Sequence, residues 1–437
     1  MHLFRSRRWR TSFLAGAGLL IGLAFQPSSL QAQPLVPTAP PPVPLIDQTH
    51  PAVWVFAYKF NAANFPTPPV THCLFGGSPH APSSDKSSLY YAATWSGLGT
   101  LASGSGLIGT ELTDPLGATF SEIYNGNWSY VVWNDQFDAH PSLPSCQKDC
   151  PGPWGHSKGI LAWDDAGNGL VLQVSTPSWP GSGSVAQPRA GKGNTLGCNT
   201  KNNVVFAQHF FALRLTPADT AAVLDALANA SVATDPNNPQ IARVGGPPEL
   251  SARAMRLGHL SRSSDPTDVM LSSGIRLISK PSNLHVPPWQ FLSARLQAVP
   301  LRAATWWASP RLPTTNPGRL ITCWRDDLGT PGRVEVALTG QWQAKAIGLA
   351  GSQNHAKIGV SLDPSHPYTI FGDLNQQGRL TGNCASSQNG RGGLFFILSD
   401  PTLYASVNQL IAGKTASTAV PGTVPKKPKT ASVDRSR

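Results

Sequence analysis

Apolar residues in this chain gather in short runs divided by turns rich in glycine and proline. The stretch Ala52 to Phe60 (AVWVFAYKF) has the length and composition of a buried strand. Trp128 to Trp133 reads as another, followed by the polar Asn134, Asp135 and Gln136. Lys158 to Trp163, Leu170 to Ser175 and Phe210 to Leu215 predict three more strands. A helix is then expected from Thr216 as N-cap and Pro217 at the first position, running through Ala218 to Ala230. Its apolar side carries Val223, Leu224 and Leu227.

The second half follows the same order. One strand holds His355 and Lys357, and a second runs from Tyr368 to Phe371 and ends at Gly372-Asp373-Leu374-Asn375. Phe395 and Phe396 open a third. Ser399 or Asp400 then caps a helix with Pro401 in its first turn, apolar periodicity from Leu403 to Leu410, and Gly413 as its stop. A repeated order of strand, strand, Phe-Phe strand and proline-started helix indicates a diverged internal duplication. The expected fold is α/β, of the α+β kind, with a first half over residues 46–235 and a second over 236–412. The turn-rich Asp235-Pro236-Asn237-Asn238-Pro239 forms the boundary.

The ends have a different character. Arg5, Arg7, Arg8 and Arg10 precede an apolar run from Phe13 to Phe25, and Leu30-Gln31-Ala32 ends on a small residue. Residues 1–32 are therefore expected to be a signal peptide cleaved near Ala32, with an uncleaved anchor as the competing reading. The mature protein is expected to be secreted or periplasmic. Residues 33–45 form a proline-rich lead-in, and residues 413–437 a basic, low-complexity tail expected to be disordered. Of the net charge of +11, four arginines in the leader account for +4 and the tail for +5, leaving +2 for the body. Any anion site must thus be a local cluster. Six cysteines (73, 146, 150, 198, 323 and 384) suit disulfides in an oxidising compartment, and they allow 15 connectivities. No CxxC pair or His/Cys cluster has the spacing of a zinc site.

The strongest chemical signal is a repeated pattern, His-x-Lys followed six residues later by Asp. It occurs at His156, Lys158 and Asp164, and again at His355, Lys357 and Asp363. On a strand, residues i and i+2 share a face, so each copy projects an imidazole beside an ammonium. A lone copy is ordinarily a surface pair; two copies within a repeated strand order suggest one site with two histidines and two lysines. Such a set can cleave a phosphodiester without a metal: one neutral imidazole attacks phosphorus, one imidazolium protonates the leaving oxygen, and the lysines hold the phosphate. Asp164 and Asp363 can orient a histidine or pair with a lysine, or can be turn residues at strand ends. Asn375, Asp373, Lys59 and Gln136 are further polar candidates at strand ends. Trp154 and Trp179 are the best candidates for stacking on bases. The other histidines, His209 among them, lack paired spacing and read as core or surface.

These residues resemble the deoxyribonuclease II family. The resemblance rests on Gly155-His156-Ser157-Lys158-Gly159, on Val174-Ser175-Thr176-Pro177-Ser178-Trp179-Pro180, and on Asn194-Thr195-Leu196-Gly197-Cys198. It continues through Ser352 to Lys357, Phe371 to Gln376 and Arg391-Gly392-Gly393, with Tyr58-Lys59 and Asn134-Asp135-Gln136 upstream. It implies a phospholipase D-like fold with two pseudo-symmetric halves, each a mixed β-sheet flanked by helices, around a single central active site. It further implies a metal-independent acid endonuclease that uses no cofactor, acts on double-stranded DNA and leaves 3′-phosphate and 5′-hydroxyl ends. Ile358-Gly359 stands where animal members carry Trp-Cys, so one disulfide of those members is lost here. By analogy His156 is the nucleophile and His355 the general acid. No stable membrane partner is expected, and the assembly is a monomer or homodimer. Three rivals stand beside this reading: a phosphodiesterase for RNA or phospholipid, a non-catalytic phosphate- or DNA-binding protein, and a Mg²⁺ nuclease built on Asp164, Asp165 or Asp326-Asp327.

Overall fold

The computed structural model describes residues 40–67, 87–95, 98–109, 112–137, 143, 146, 149–177 and 204–418. The expected signal peptide, Trp179, residues 194–198, Cys73 and Cys198 lie outside them. In chain order the elements of the first sheet and its helices are β1 (Trp54–Lys59), β2 (Tyr91–Thr94), β3 (Leu101–Ser103), α1 (Pro115–Asn125), β4 (Ser129–Asn134), β5 (Lys158–Trp163), β6 (Gly169–Val174), β7 (Gln208–Leu215), α2 (Pro217–Asn229), β8 (Ala242–Arg243) and α3 (Pro248–Ala254). There follow β9 (Thr267–Met270), β10 (Arg276–Lys280), α4 (Pro288–Arg295), β11 (Leu301–Ala304), β12 (Val334–Val336), β13 (Thr339–Trp342), β14 (Lys345–Gly348), β15 (Ile358–Ser361), β16 (Tyr368–Gly372), β17 (Gly393–Ser399) and α5 (Pro401–Ile411).

An eight-stranded sheet has the order β3-β2-β1-β7-β6-β5-β4-β8, with antiparallel neighbours. A seven-stranded sheet has the order β12-β11-β15-β16-β17-β10-β9, antiparallel except for β11 against β12. The first sheet thus extends to Arg243, and the change of sheet falls after it rather than in Asp235 to Pro239.

Every residue of β5 and β6 is buried, which is why their sequences read as unbroken apolar runs. Alternate side chains serve two different cores. Val131, Trp133, Leu161, Trp163 and Val171 face a central layer, while Tyr130, Val132, Ile160, Ala162 and Leu172 face Leu116, Phe120 and Ile123 of α1. The second sheet divides likewise. Ile358, Val360, Phe371 and Phe396 reach the central layer, and Ile370, Phe395 and Ile397 pack with Trp289, Phe291 and Leu292 of α4. The central layer also takes Val223, Leu224 and Leu227 of α2 and Leu403, Val407 and Leu410 of α5. Phe371 joins the two sheets there, with ring centroids 4.5 Å from both Phe56 and Phe211. Truncating a ring in such a position costs about 3–5 kcal/mol.

Both helix starts follow their sequence signals. Thr216 caps α2 in a reciprocal capping box with Asp219, and Asp400, not Ser399, caps α5 by accepting from Thr402 and Leu403 N–H. Ordered chain continues past Gly413, where the tail was expected to begin. Lys414 O accepts from Leu338 N–H, and Ala416 N–H donates to Val336 O. Disulfides join Cys146 to Cys150 and Cys323 to Cys384. Among the described residues no helix is long and apolar enough to cross a membrane.

Candidate active site

The two HxK segments do not lie inside their strands. β5 begins at Lys158, and β15 begins one residue after Lys357. The physical reason is that each histidine's main chain is bound to the other sheet's connections rather than to its own ladder. His156 N–H donates to Gly392 O, just before β17, and His355 N–H donates to Ala207 O, just before β7, each at 2.8 Å. Two glycines permit this close approach. A Cβ on Gly155 would lie 2.5 Å from Ala230 O at the end of α2, and one on Gly392 only 2.1 Å from the same oxygen.

Register then brings the polar groups together. Asn134 pairs with Lys158 across β4 and β5, so Asp135 follows beside the lysine. Val174 pairs with Phe210 across β6 and β7, which puts Ser175 against His209. At the same end, Gly372 N–H donates to Lys357 O, and Asp373 follows. The result is a cleft of about 480 Å³ lined by His156, Lys158, His355 and Lys357 together with Gln136, Ser175, Pro177, Phe206, Trp306, Asn375, Gln377 and Gln388. None of the described residues that line the cleft carries a carboxylate. Among the described residues, no three His, Cys, Asp or Glu side chains are grouped to hold a metal.

Each histidine is half-buried, and its Nδ1 is held differently. Nδ1 of His156 lies 2.9 Å from Asp373 O. A carbonyl only accepts, so this nitrogen carries the hydrogen, and neutral His156 keeps its lone pair on Nε2. Nδ1 of His355 lies 3.3 Å from Gln208 Nε2, an amide nitrogen that only donates. His355 is therefore the acceptor at Nδ1 and carries its hydrogen on Nε2. Ser175 fixes the Gln208 amide: its Oγ accepts from His209 N–H at 2.8 Å and donates to Gln208 Oε1 at 2.7 Å.

The lysines differ too. Lys158 Nζ donates to Asp135 Oδ1 at 2.5 Å, and Arg391 Nη2 donates to Asp135 Oδ2 at 2.7 Å. Burial alone would raise the Asp135 pKa, but these two cations outweigh it and hold the carboxyl well below the usual range. Among the described residues, Lys357 Nζ donates to a main-chain oxygen alone, His355 O, at 2.7 Å. Burial, reinforced by Lys158, lowers Lys357 to about 7. Burial and the neighbouring lysines also push both histidines well below their ordinary value: Lys158 and Lys357 act on His156, and Lys357, Lys158 and Lys59 on His355.

The supporting candidates separate into three groups. Asn375 and Gln136 line the cleft, and the buried Asn375 Oδ1 has no partner among the described residues. Asp373 and Lys59 stand behind it. Asp373 holds His156 through its main-chain oxygen, while its carboxylate accepts from Gln173 Nε2 at 2.9 Å and Leu394 N–H at 2.8 Å. Burial raises that carboxyl to about 6. The Lys59 ammonium is sunk among Phe60 O, Ser88 O and Val204 O. Asp164 and Asp363 do not meet the HxK groups. Asp164 accepts from Ala166 and Asn168 N–H inside the β5–β6 turn, and Asp363 binds Ser365 and His366. Trp154 is buried, with its carbonyl accepting from Arg391 Nε at 2.9 Å, so it offers no stacking face.

Several residues at the site carried no separate sequence signal. Ser175 and Arg391 stand within segments that the resemblance covers, but their roles were not legible. Gln208, Phe206, Trp306 and Gln388 had none. Lys280 was also missed. Its buried ammonium donates to Asn389 O at 2.7 Å and Arg391 O at 2.9 Å, steadying the segment whose Gly392 receives His156, much as Lys59 steadies the segment before Ala207.

Residues 77–273 match the family model of deoxyribonuclease II. The match spans less than half of the chain and supports kinship with that family. The deoxyribonuclease II match includes His156, Lys158 and Asp135, whereas His355, Lys357 and Arg391 lie beyond it. No curated protein matches the chain.

Proposed function

We propose that this protein is a deoxyribonuclease II-like endonuclease that hydrolyses DNA without a metal and works best in acid. The single observation that carries the reading is that both HxK pairs, one from each sheet, line one cleft in which no described residue carries a carboxylate. In this reading the two sheets are the pseudo-symmetric halves of a phospholipase D-like fold. The molecule works outside the cytoplasm, where its disulfides persist.

The scissile phosphate sits between the imidazoles, with Lys158 and Lys357 on its non-bridging oxygens. His156 Nε2 attacks phosphorus and forms a P–N bond, while the P–O5′ bond breaks. His355 gives its Nε2 proton to that oxygen, and the 5′-hydroxyl fragment departs. The now neutral His355 takes a proton from water, the resulting hydroxide attacks phosphorus, and the P–N bond breaks to release a 3′-phosphate. Hydrogen bonding supports the nucleophile's role, since neutral His156 holds its lone pair on Nε2. His355 must gain a proton before it can act as an acid. Burial beside three lysines moves that gain to low pH.

Plasmid nicking at about pH 5, a little below the ordinary imidazole pKa, tests the reading. Cutting that persists in chelator, with ends blocked to ligation until the 3′-phosphate is removed, is the expected result. Undiminished nicking by His156→Ala or His355→Ala protein would refute it. Turnover of RNA or phospholipid in preference to duplex DNA would reassign the substrate.

A further inference from the structure

We propose that Trp306 and Phe206 form a nucleobase-stacking subsite on the His355 side of the cleft, where the nucleotide that departs with the 5′-oxygen is held. This rests on the hydrolytic reading above and specifies its substrate as nucleic acid rather than lipid.

Both rings line the cleft and both are half-buried, unlike the fully buried Trp133, Trp163 and Trp289 of the cores. Trp306 lies 4.7 Å and Phe206 4.6 Å from the His355 ring, and the two meet edge to face at 5.6 Å. They thus form an aromatic corner next to the imidazole assigned to the leaving oxygen. The neighbouring Trp307 is engaged elsewhere, donating its indole N–H to Leu312 O at 2.7 Å and stacking under Arg311.

The segment bearing Trp306 is held in place by the residues after Asn375. Gln376 N–H donates to Thr305 Oγ1 at 2.9 Å, and Gln377 Nε2 donates to Ala308 O at 2.8 Å. A wall fixed from two sides presents its ring at little entropic cost. Base–aromatic stacking needs such a platform, and it tolerates any base because every base has a π-face. The rest of the lining decides between a base and an acyl chain. Gln377, Gln388 and Asn375 bring amide donors and acceptors to the same cleft. Gln377 is already paired with Ala308 O and Asn375 Nδ2, but the buried Oδ1 of Asn375 has no partner among the described residues. A hydrocarbon chain would leave that oxygen unpaired at a cost, whereas a base edge or sugar hydroxyl can satisfy it.

The test uses the full chain and an oligonucleotide with one ordinary phosphodiester among methylphosphonates. The nucleotide on its 5′-oxygen side is either intact or abasic. Wild-type protein is expected to show a KM about tenfold higher for the abasic form, the scale of one stacked base. In Trp306→Ala protein that ratio should fall towards one, and Trp306→Phe should retain most of it. Equal KM values in the wild type would overturn the subsite while leaving the hydrolase reading intact. So would a Trp306→Ala variant that keeps the full ratio but loses kcat and shifts its acid limb, since the ring would then only position His355. Failure to cut even the intact strand would count against hydrolysis. Binding then decides the subsite: a deoxynucleoside 5′-phosphate, but not abasic deoxyribose phosphate, should quench fluorescence in His156→Ala protein and not in the Trp306→Ala double variant. No such difference would overturn the subsite as well.

Discussion

The His156 arm and the His355 arm carry the same two side chains at the same spacing, yet they are built differently. His156 leans on a carbonyl, and Lys158 lies against a buried carboxylate that Arg391 shares from 256 residues away. His355 meets an amide nitrogen and two aromatic rings, and Lys357 Nζ donates to a main-chain oxygen, with no carboxylate of the described residues paired to it. The first arm is thus polar, ion-paired and fixed; the second is apolar and its lysine is easily discharged. Two identical motifs acquire distinct chemistry from their surroundings, which is what a nucleophile and an acid sharing one phosphate require.

The widest gap between the arms should appear with leaving group. On DNA, where the departing alkoxide needs a proton, His355→Ala should lose about 10²- to 10⁴-fold in kcat, the usual range for a general acid. On bis(p-nitrophenyl) phosphate, whose leaving group needs none, the same variant should recover most of the first step. His156→Ala should be inactive on both. Recovery by the His156 variant instead would exchange the two roles, as measured by initial rates on the two substrates.

Next in size is the Asp135 link. Asp135→Asn leaves the buried Lys158 and the part-buried Arg391 without a counter-charge. Removing one partner of a buried ion pair costs about 3–5 kcal/mol. Denaturant unfolding should register a loss of that order. No substitution around Lys357 should reproduce it, since no carboxylate of the described residues pairs with that lysine. A loss below about 1 kcal/mol, the scale of an exposed pair, would show that the ion pair is solvated rather than buried.

The lysines themselves should respond in opposite directions. Lys357 is lowered from 10.5 to about 7. Between those values the unfolded chain binds a proton that the folded chain does not, so this lysine erodes stability as pH falls from 10.5 to about 7. Lys357→Met removes that loss and should stabilise the protein by up to about 4 kcal/mol at pH 7, with little gain near pH 10, while activity falls. Lys158→Met should destabilise at both pH values, because it strips Asp135 of a partner. Thermal unfolding of both variants at pH 7 and pH 10 checks the pair, and a destabilised Lys357→Met would contradict the account.

The sequence carried the strands that bear the site and both HxK pairs, because burial on two faces leaves unbroken apolar runs and strand spacing is local. It could not carry what joins the halves. Asp135 and Arg391, His156 and Gly392, and His355 and Ala207 are contacts of long separation that no local pattern encodes. The region from Ala242 to Gly348 gave no strand signal, since its strands are at most five residues long and β9, β13 and β14 are part-exposed. Histidine positions were misjudged by two or three residues because main-chain pairing across the sheets replaces the ladder at each strand entrance. Trp306 and Phe206 were passed over because an aromatic residue lining a cleft looks, in sequence, like one in a core.

The matched aspartates draw the smallest expected effect and the sharpest lesson. Asp164 follows directly on the six residues of β5, and Asp363 stands two places after β15. The shared spacing from HxK therefore records the length of a strand and the start of its turn, not a catalytic distance. Asp164→Ala deletes acceptors for Ala166 and Asn168 N–H, which should cost about 1 kcal/mol in stability. Asp363→Ala should cost less, because its turn is exposed. Asp363 is lowered from 3.8 to about 2, first by the Ser365 hydroxyl, so its contribution is present above pH 3.8 and lost as pH falls towards 2. Neither variant should change kcat or the pH profile on DNA. A tenfold loss of kcat in either, with folding intact, would return that aspartate to the site and restore the spacing as a mark of chemistry.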